Sequence, residues 1–377
     1  MKIRIKLGIV LLLGLLMLPA AFVLADDAEI NVLLDGAALQ FDVPAQIIDG
    51  RTMLPVRAIF EALGAGVYWD EERAEVTAAT ADGETIRMTI GSEVLYINGR
   101  IETMDVPPQI VDGRTLVPAR FAAQAMGWHV SWLACNRTVY IGRLTNDFSD
   151  TRYLELINHH HPIRTEPDRD LLTSAWPDVA VRARDILLHQ SALAAVGQMF
   201  DAATEEDVSF LFVSSGYRSF EEQAELYAAD PGGNLIMPPG HSEYHSGLAV
   251  DILIRDIAMH HIPDFPQGRW MAANSWRFGL IQRYPESRED VTGIAFEPWH
   301  FRYVGQIHAW QMWERGMVLE EYIQFLWEEG GFTAGFNDRE YTILHQMPVN
   351  GMIHIPHSDN FSVSSDNLGG YIITMRR

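Results

Sequence analysis

One cysteine in 377 residues excludes an internal disulfide, so stability has to come from packed cores, and Cys135 reads as a small buried residue. Positive charge is scarce as well: 28 Lys and Arg stand against 50 Asp and Glu, a formal net charge of −22. Such a surface repels phosphate backbones, which excludes nucleic acid as a partner, and it offers no basic patch to anionic lipid. Long apolar runs are missing except at the N-terminus. There Lys2, Arg4 and Lys6 precede an apolar run over residues 7–18, and Val23 and Ala25 stand where a signal peptidase reads. The pattern predicts cleavage after Ala25 and an exported chain, secreted or held at the bacterial cell surface. Left uncleaved, residues 1–25 would nearly span a bilayer and serve as a membrane anchor. Ser214 and Ser215 lack the turn context of a nucleophilic serine, which excludes that mechanism. With 48% apolar residues, the remainder can bury two cores.

What is present begins with an internal repeat at an offset of 63 residues. Phe41, Asp42, Val43, Pro44 and Gln46 recur as Met104, Asp105, Val106, Pro107 and Gln109. The motif Asp49-Gly50-Arg51-Thr52, followed by Pro55 and Arg57, recurs as Asp112-Gly113-Arg114-Thr115, followed by Pro118 and Arg120. Asp-Gly supplies the positive φ of a tight turn, and helices are expected over 58–63 and 121–126, stopped by Gly64 and Gly127. This unit, residues 28–143, resembles the N-terminal repeat domain of copper amine oxidases, a stalk-like module. His129 has no ligand cluster around it, so the resemblance implies no copper. Arg57 and Arg120 either meet an anionic cell-wall polymer or pair with carboxylates inside their own repeats; the domain is read as a spacer or wall-binding module.

Residues 144–153 are polar without helical period and read as a linker. A second domain over 154–331 mixes helices and short strands in no βαβ order, which predicts an α+β fold. An amphipathic helix is expected over 178–200, a strand over 208–214 and a further helix over 270–278. Residues 332–377 alternate in short runs and read as a small β appendage packed on the second domain. The tracts His159-His160-His161 and His260-His261 have no carboxylate in motif spacing and read as solvated loops.

Three separated segments carry chemistry. Ser219 with Glu222 makes a capping box, leaving Arg218 on the turn ahead of a helix, where an anion is favoured. Leu248, Ala249 and Val250 carry Asp251 into the interior, where a carboxylate needs a metal or an arginine as partner. Glu297 and His300 are three apart, so an imidazole can bind a metal while the carboxylate takes a proton from water. Together these segments resemble the VanY-type zinc D,D-carboxypeptidases, which include related L,D-carboxypeptidases of peptidoglycan, over about residues 154–323. The resemblance implies a small antiparallel sheet with flanking helices, of the D,D-peptidase/Hedgehog-like type, and one zinc ion. It implies Asp251 and His300 as metal ligands, Glu297 as catalytic base and Arg218 as stabiliser of transition-state charge. Arg218, Ser219, Gln223, Ser242 and Trp299 are the expected contacts to a peptidoglycan stem peptide. The motifs fit D,D- and L,D-cleavage alike.

One position departs from the family pattern Ser-x-His-x-x-Gly-x-Ala-x-Asp. Ser242, Gly247, Ala249 and Asp251 match, but Tyr244 stands at the ligand histidine. Three readings stay open. A local bulge brings His245 round as third ligand, which is the leading expectation; Tyr244 as phenolate, or His241, takes its place; or the metal site is weakened in a protein that still binds peptidoglycan.

Overall fold

The computed structural model describes residues 29–133, 136–229, 236–356 and 360–376. The signal segment and Cys135 lie outside the described residues, as does part of the glycine-proline loop after residue 229. No helix among the described residues is long and apolar enough to cross a membrane.

The two repeats meet at their motifs. Gln46–Ile48 and Arg51–Pro55 form a hairpin across Asp49 and Gly50, whose φ values are 49° and 73°. Gln109–Val111 and Arg114–Pro118 repeat it across Asp112 and Gly113, at 46° and 75°. The inner strands then pair antiparallel, Leu116 opposite Pro55 and Val117 opposite Leu54, so the repeats face each other across one four-stranded sheet. Helices Val56–Ala62 and Ala119–Ala125 follow the two prolines and stop at Gly64 and Gly127. They bury Ile59, Phe60, Ala122 and Ala123 in a core drawn from both repeats. Ion pairs cross the same boundary reciprocally: Arg51 with Asp105, and Arg114 with Asp42 at 2.6 Å. Arg57 pairs inside its own repeat, with Glu61 at 3.4 Å.

The second unit is α+β. Its sheet has the spatial order Leu211–Ser215, Ala249–Ile254, Glu297–Tyr303, Leu280–Tyr284, every neighbour antiparallel. Helix Gln190–Glu205 lays Leu193, Val196, Met199 and Ala203 on the core with Val213, Val250, Ile252 and Phe301. The helix expected from residue 178 is therefore shorter at its start. Leu187–His189 pairs with Leu172–Ser174, and Val181 bridges to Val213, so long-range pairing overrides a helical period in 178–189.

Residues 331–376 form an antiparallel sheet in the order Gly331–Phe336, Arg339–Gln346, Tyr371–Arg376, Phe361–Ser365. It is not a loose tail. Phe332, Ile343 and Ile372 share a core with Leu154, Ile307, Met312 and Tyr322 of the second unit. Leu344, Ile353 and Ile373 share another with Leu133 and Tyr140 of the repeat unit. The stretch expected to be a linker is stitched into this sheet: Leu144–Thr145 pairs with Ile353–His354, and Thr151 N–H donates to the Val363 carbonyl at 2.8 Å.

Candidate active site

Sheet register brings the first two site residues together. Asp251 lies directly opposite His300 on neighbouring strands, where side chains on one face meet. His300 Nδ1 is 3.0 Å from Asp251 Oδ1. The strand carrying His300 is irregular just before it. Gln282 pairs with Phe301 but Tyr284 pairs with Glu297, and this two-residue shift brings Glu297 Oε2 within 3.9 Å of His300 Nδ1.

The third element is a 3-10 turn, Glu243–Ser246, closed by Gly247 at φ 68°. Glycine is favoured there by the left-handed φ and by space: a Cβ would stand 2.6 Å from Leu172 Cδ2 and 3.2 Å from the His189 backbone nitrogen. The turn carries Tyr244 onto the pair. Its Oη lies 2.8 Å from both Asp251 carboxylate oxygens and 3.2 Å from His300 Nδ1.

The expected third ligand, His245, is not brought to this point. Its ring is buried, Nδ1 donates to the Arg218 carbonyl at 2.7 Å, and Nε2 accepts from Gly240 N–H at 3.0 Å. In a 3-10 turn successive side chains are about a third of a revolution apart, so with Tyr244 facing Asp251 its neighbour faces elsewhere. Burial lowers the pKa of His245, in keeping with a neutral ring that donates at one nitrogen and accepts at the other. Its work is to brace the Arg218 backbone. His241 is directed away too, with Nδ1 2.9 Å from the Asn158 carbonyl.

Arg218 reaches over the site from the turn after strand Leu211–Ser215. Its guanidinium sits 4.6 Å from the centre of the Tyr244 ring, and Nη1 donates to Gln223 Oε1 at 2.8 Å. Gln223 is itself buried and donates to the Met237 carbonyl, so the arginine has a fixed second support. Ser219 forms the expected capping box with Glu222, at 2.7 and 3.2 Å. Ser242 is buried at the start of the 3-10 turn. Trp299, expected to wall the site, is half-buried against the core that holds Val250, Ile252 and Phe301.

Electrostatics divide the acids by role. Burial raises the Glu297 carboxyl, and the nearby Asp251 and Glu243 add to this against the pull of His300. Burial alone would also raise Glu243, but Arg283 and Arg302 hold it well below the usual carboxylate range. Burial opposes charge on His300, yet hydrogen bonding to Asp251 and the carboxylate of Glu243 push it up to about 9. The Tyr244 hydroxyl is pushed well above its ordinary value by burial and by Asp251.

This arrangement fits a divalent cation. Zinc held by oxygen and nitrogen donors at about 2.0–2.2 Å sets those donors roughly 3.3 Å apart in a tetrahedron. The three pairwise distances here are 2.8, 3.0 and 3.2 Å, so a small expansion suffices. No group of three His, Cys, Asp or Glu poised for a metal exists among the described residues, because one of the three donors is a phenol.

Sequence reasoning missed the layer beneath the site. Arg283 Nε donates to Glu243 Oε1 at 2.8 Å, and its other nitrogens fork onto Glu320 at 2.8 and 2.6 Å. Arg302 Nη1 donates to the same Glu243 oxygen at 3.1 Å. Both arginines are fully buried. The signal was an arginine inside each of two apolar strands, Leu280–Tyr284 and Glu297–Tyr303.

Two family models match the chain. A family model described as copper amine oxidase N-terminal domain matches residues 33–141, and one described as D-alanyl-D-alanine carboxypeptidase, VanY, matches residues 185–306. A D-alanyl-D-alanine carboxypeptidase of Enterococcus faecium is 34% identical over 230 residues, covering 59% of this chain and 74% of that protein. The bifunctional D-Ala-D-Ala dipeptidase and D-Ala-D-Ala carboxypeptidase VanXYC of Enterococcus gallinarum is 32% identical over 189 residues, 46% of this chain and 94% of its own. Among solved structures, the vancomycin resistance D,D-dipeptidase VanXYg in complex with a D-Ala-D-Ala phosphinate analogue aligns with a TM-score of 0.52 at 29% identity. It covers 60% of this chain and 94% of that one. With the carboxypeptidase unit matched by model, sequence and structure, the chain belongs to the D-alanyl-D-alanine carboxypeptidase family of the VanY type.

Proposed function

We propose that this chain is an exported, zinc-dependent carboxypeptidase that removes the terminal D-alanine from peptidoglycan stem peptides. One observation carries the reading: Tyr244 Oη, Asp251 and His300 Nδ1 converge within 3.2 Å of one another beside the partly exposed Glu297. These three side chains would hold the ion, with Tyr244 in the place of the family's histidine. Bound zinc would polarise the scissile carbonyl and acidify a water molecule. Glu297, raised by burial, accepts the proton of the attacking water and returns it to the leaving amine of D-alanine. Arg218 faces the negative charge that develops on the substrate or its terminal carboxylate, held by Gln223 through its side chain and by His245 through its backbone. Export is supported by the basic and apolar N-terminal pattern. The repeat unit is proposed to hold the enzyme to a cell-wall polymer.

A second reading, a peptidoglycan-binding protein with little or no hydrolysis, is favoured by the same tyrosine, since its hydroxyl satisfies Asp251 without any ion. Metal analysis of purified protein, with an assay of D-alanine release from a pentapeptide ending in D-Ala-D-Ala, separates the two. Stoichiometric zinc and release of D-alanine support hydrolysis. Absence of both, with zinc added, overturns it.

A further inference from the structure

His300 is restrained on each side. Tyr284 stacks on the ring at 5.0 Å, Tyr244 meets it edge-on at 5.1 Å, and Asp251 faces Nδ1. Two buried polar atoms beside it have no hydrogen-bond partner among the described residues: His300 Nε2 and Glu243 Oε2. They face each other at 3.7 Å, on side chains only 3% and 1% exposed. An unpaired buried carboxylate oxygen is costly to leave so, and closing the gap by about half an ångström makes a hydrogen bond.

The rest of Glu243 is fixed. Its Oε1 accepts from both Arg283 and Arg302, and Arg302 also donates to the carbonyls of Tyr153 and Glu155 at 3.2 and 3.1 Å. One carboxylate oxygen is thereby committed to two guanidinium groups, and the other is left for the imidazole. This matters because a neutral histidine offers a lone pair at Nδ1 only when its proton sits on Nε2.

We infer that Glu243 is a positioning residue: its Oε2 accepts the His300 Nε2–H and so selects the tautomer whose Nδ1 lone pair points at Asp251 and Tyr244. The assignment rests on the zinc reading for its purpose, but not for its geometry. Residues 243 and 244, adjacent on one 3-10 turn, address the two nitrogens of a single ring from opposite ends. Carboxylates behind a ligand histidine commonly strengthen metal binding in this way.

Glu243→Gln is a sharp test. The amide has one oxygen, which the two arginines retain, so its NH2 turns towards Nε2 and disfavours a proton there. Zinc affinity, read by chelator competition, is expected to weaken roughly 10- to 100-fold. Nitrogen-15 NMR of metal-free protein above about pH 9, where the His300 ring becomes neutral, is expected to find the proton on Nε2 in the wild type and displaced in the variant. Glu243→Asp keeps the charge that both arginines need but withdraws it from the ring, and should fold while losing affinity; it serves if Glu243→Gln does not fold. Wild-type zinc affinity in a folded variant, or an unprotonated Nε2 in the wild type, overturns the assignment. If the wild type binds no zinc, the catalytic reading falls separately, while the NMR comparison on metal-free protein still judges Glu243.

Discussion

Replacing Tyr244 by phenylalanine removes one oxygen and leaves the ring over which Arg218 lies, so its two consequences can be read apart. The hydroxyl donates to the Asp251 carboxylate, with 2.8 Å to either oxygen. Hydrogen bonds to a charged group contribute about 1.5–3 kcal/mol, and the metal-free variant should lose stability of that order, measured by urea unfolding in the presence of a chelator. The second consequence concerns the ion. Four-ligand zinc sites bind with about 10–16 kcal/mol, so one donor is worth roughly 3 kcal/mol, on the order of 100-fold in affinity. Zinc titration against a fluorescent chelator reads this directly. A purely structural tyrosine would give the stability loss with zinc affinity unchanged, and that result refutes Tyr244 as a ligand. Tyr244→His supplies nitrogen in place of oxygen and is expected to bind zinc at least as tightly as the wild type.

Three further outcomes are expected. Glu297→Gln should lower D-alanine release at least 100-fold while zinc remains bound, the scale of general-base catalysis; unimpaired turnover would remove Glu297 from that role. Burial depresses His308 to about 3 and, with the repulsion of His129, His354 to about 4, against about 6.5 in an unfolded chain. The unfolded state therefore binds more protons between those values, so stability is full above pH 6.5 and falls on acidification, by roughly 2 to 3 kcal/mol for His308 between pH 6.5 and 4.5. Urea unfolding across that range checks it, and His308→Gln should flatten the slope. Gly247→Ala forces a Cβ into positive φ and against Leu172, and should cost more than about 1 kcal/mol in the same assay.

Much of the fold was legible because its determinants are local. The paired Asp-Gly turns, and the glycines that stop both short helices, announce each repeat from nearest neighbours alone. Asp251, Glu297 and His300 were legible through the resemblance of their motifs to the VanY-type pattern; burial alone left an arginine as an equal partner for Asp251. What failed was long-range. Residues 178–189 have a helical period, yet pair with strands at Leu172–Ser174 and Leu211–Ser215. Tyr244 and His245 differ by one position, and which of them faces Asp251 turned on whether that segment was extended or a 3-10 turn. Nothing within ten residues decides this: Gly247 is required by Leu172 and His189, distant in sequence. Glu243 was invisible for the same reason, since its partners Arg283 and Arg302 arrive from two other strands.

The seam joining the repeat unit to the C-terminal sheet has a mechanical consequence. A loose connector would let the carboxypeptidase unit swing freely about the repeat unit. Here Leu144–Thr145 is paired with Ile353–His354, and Leu133 and Tyr140 are packed on Leu344 and Ile373, so the chain's last strands act as a buttress. The carboxypeptidase unit is thereby braced at one angle to the repeats, as a bracket in place of a tethered blade.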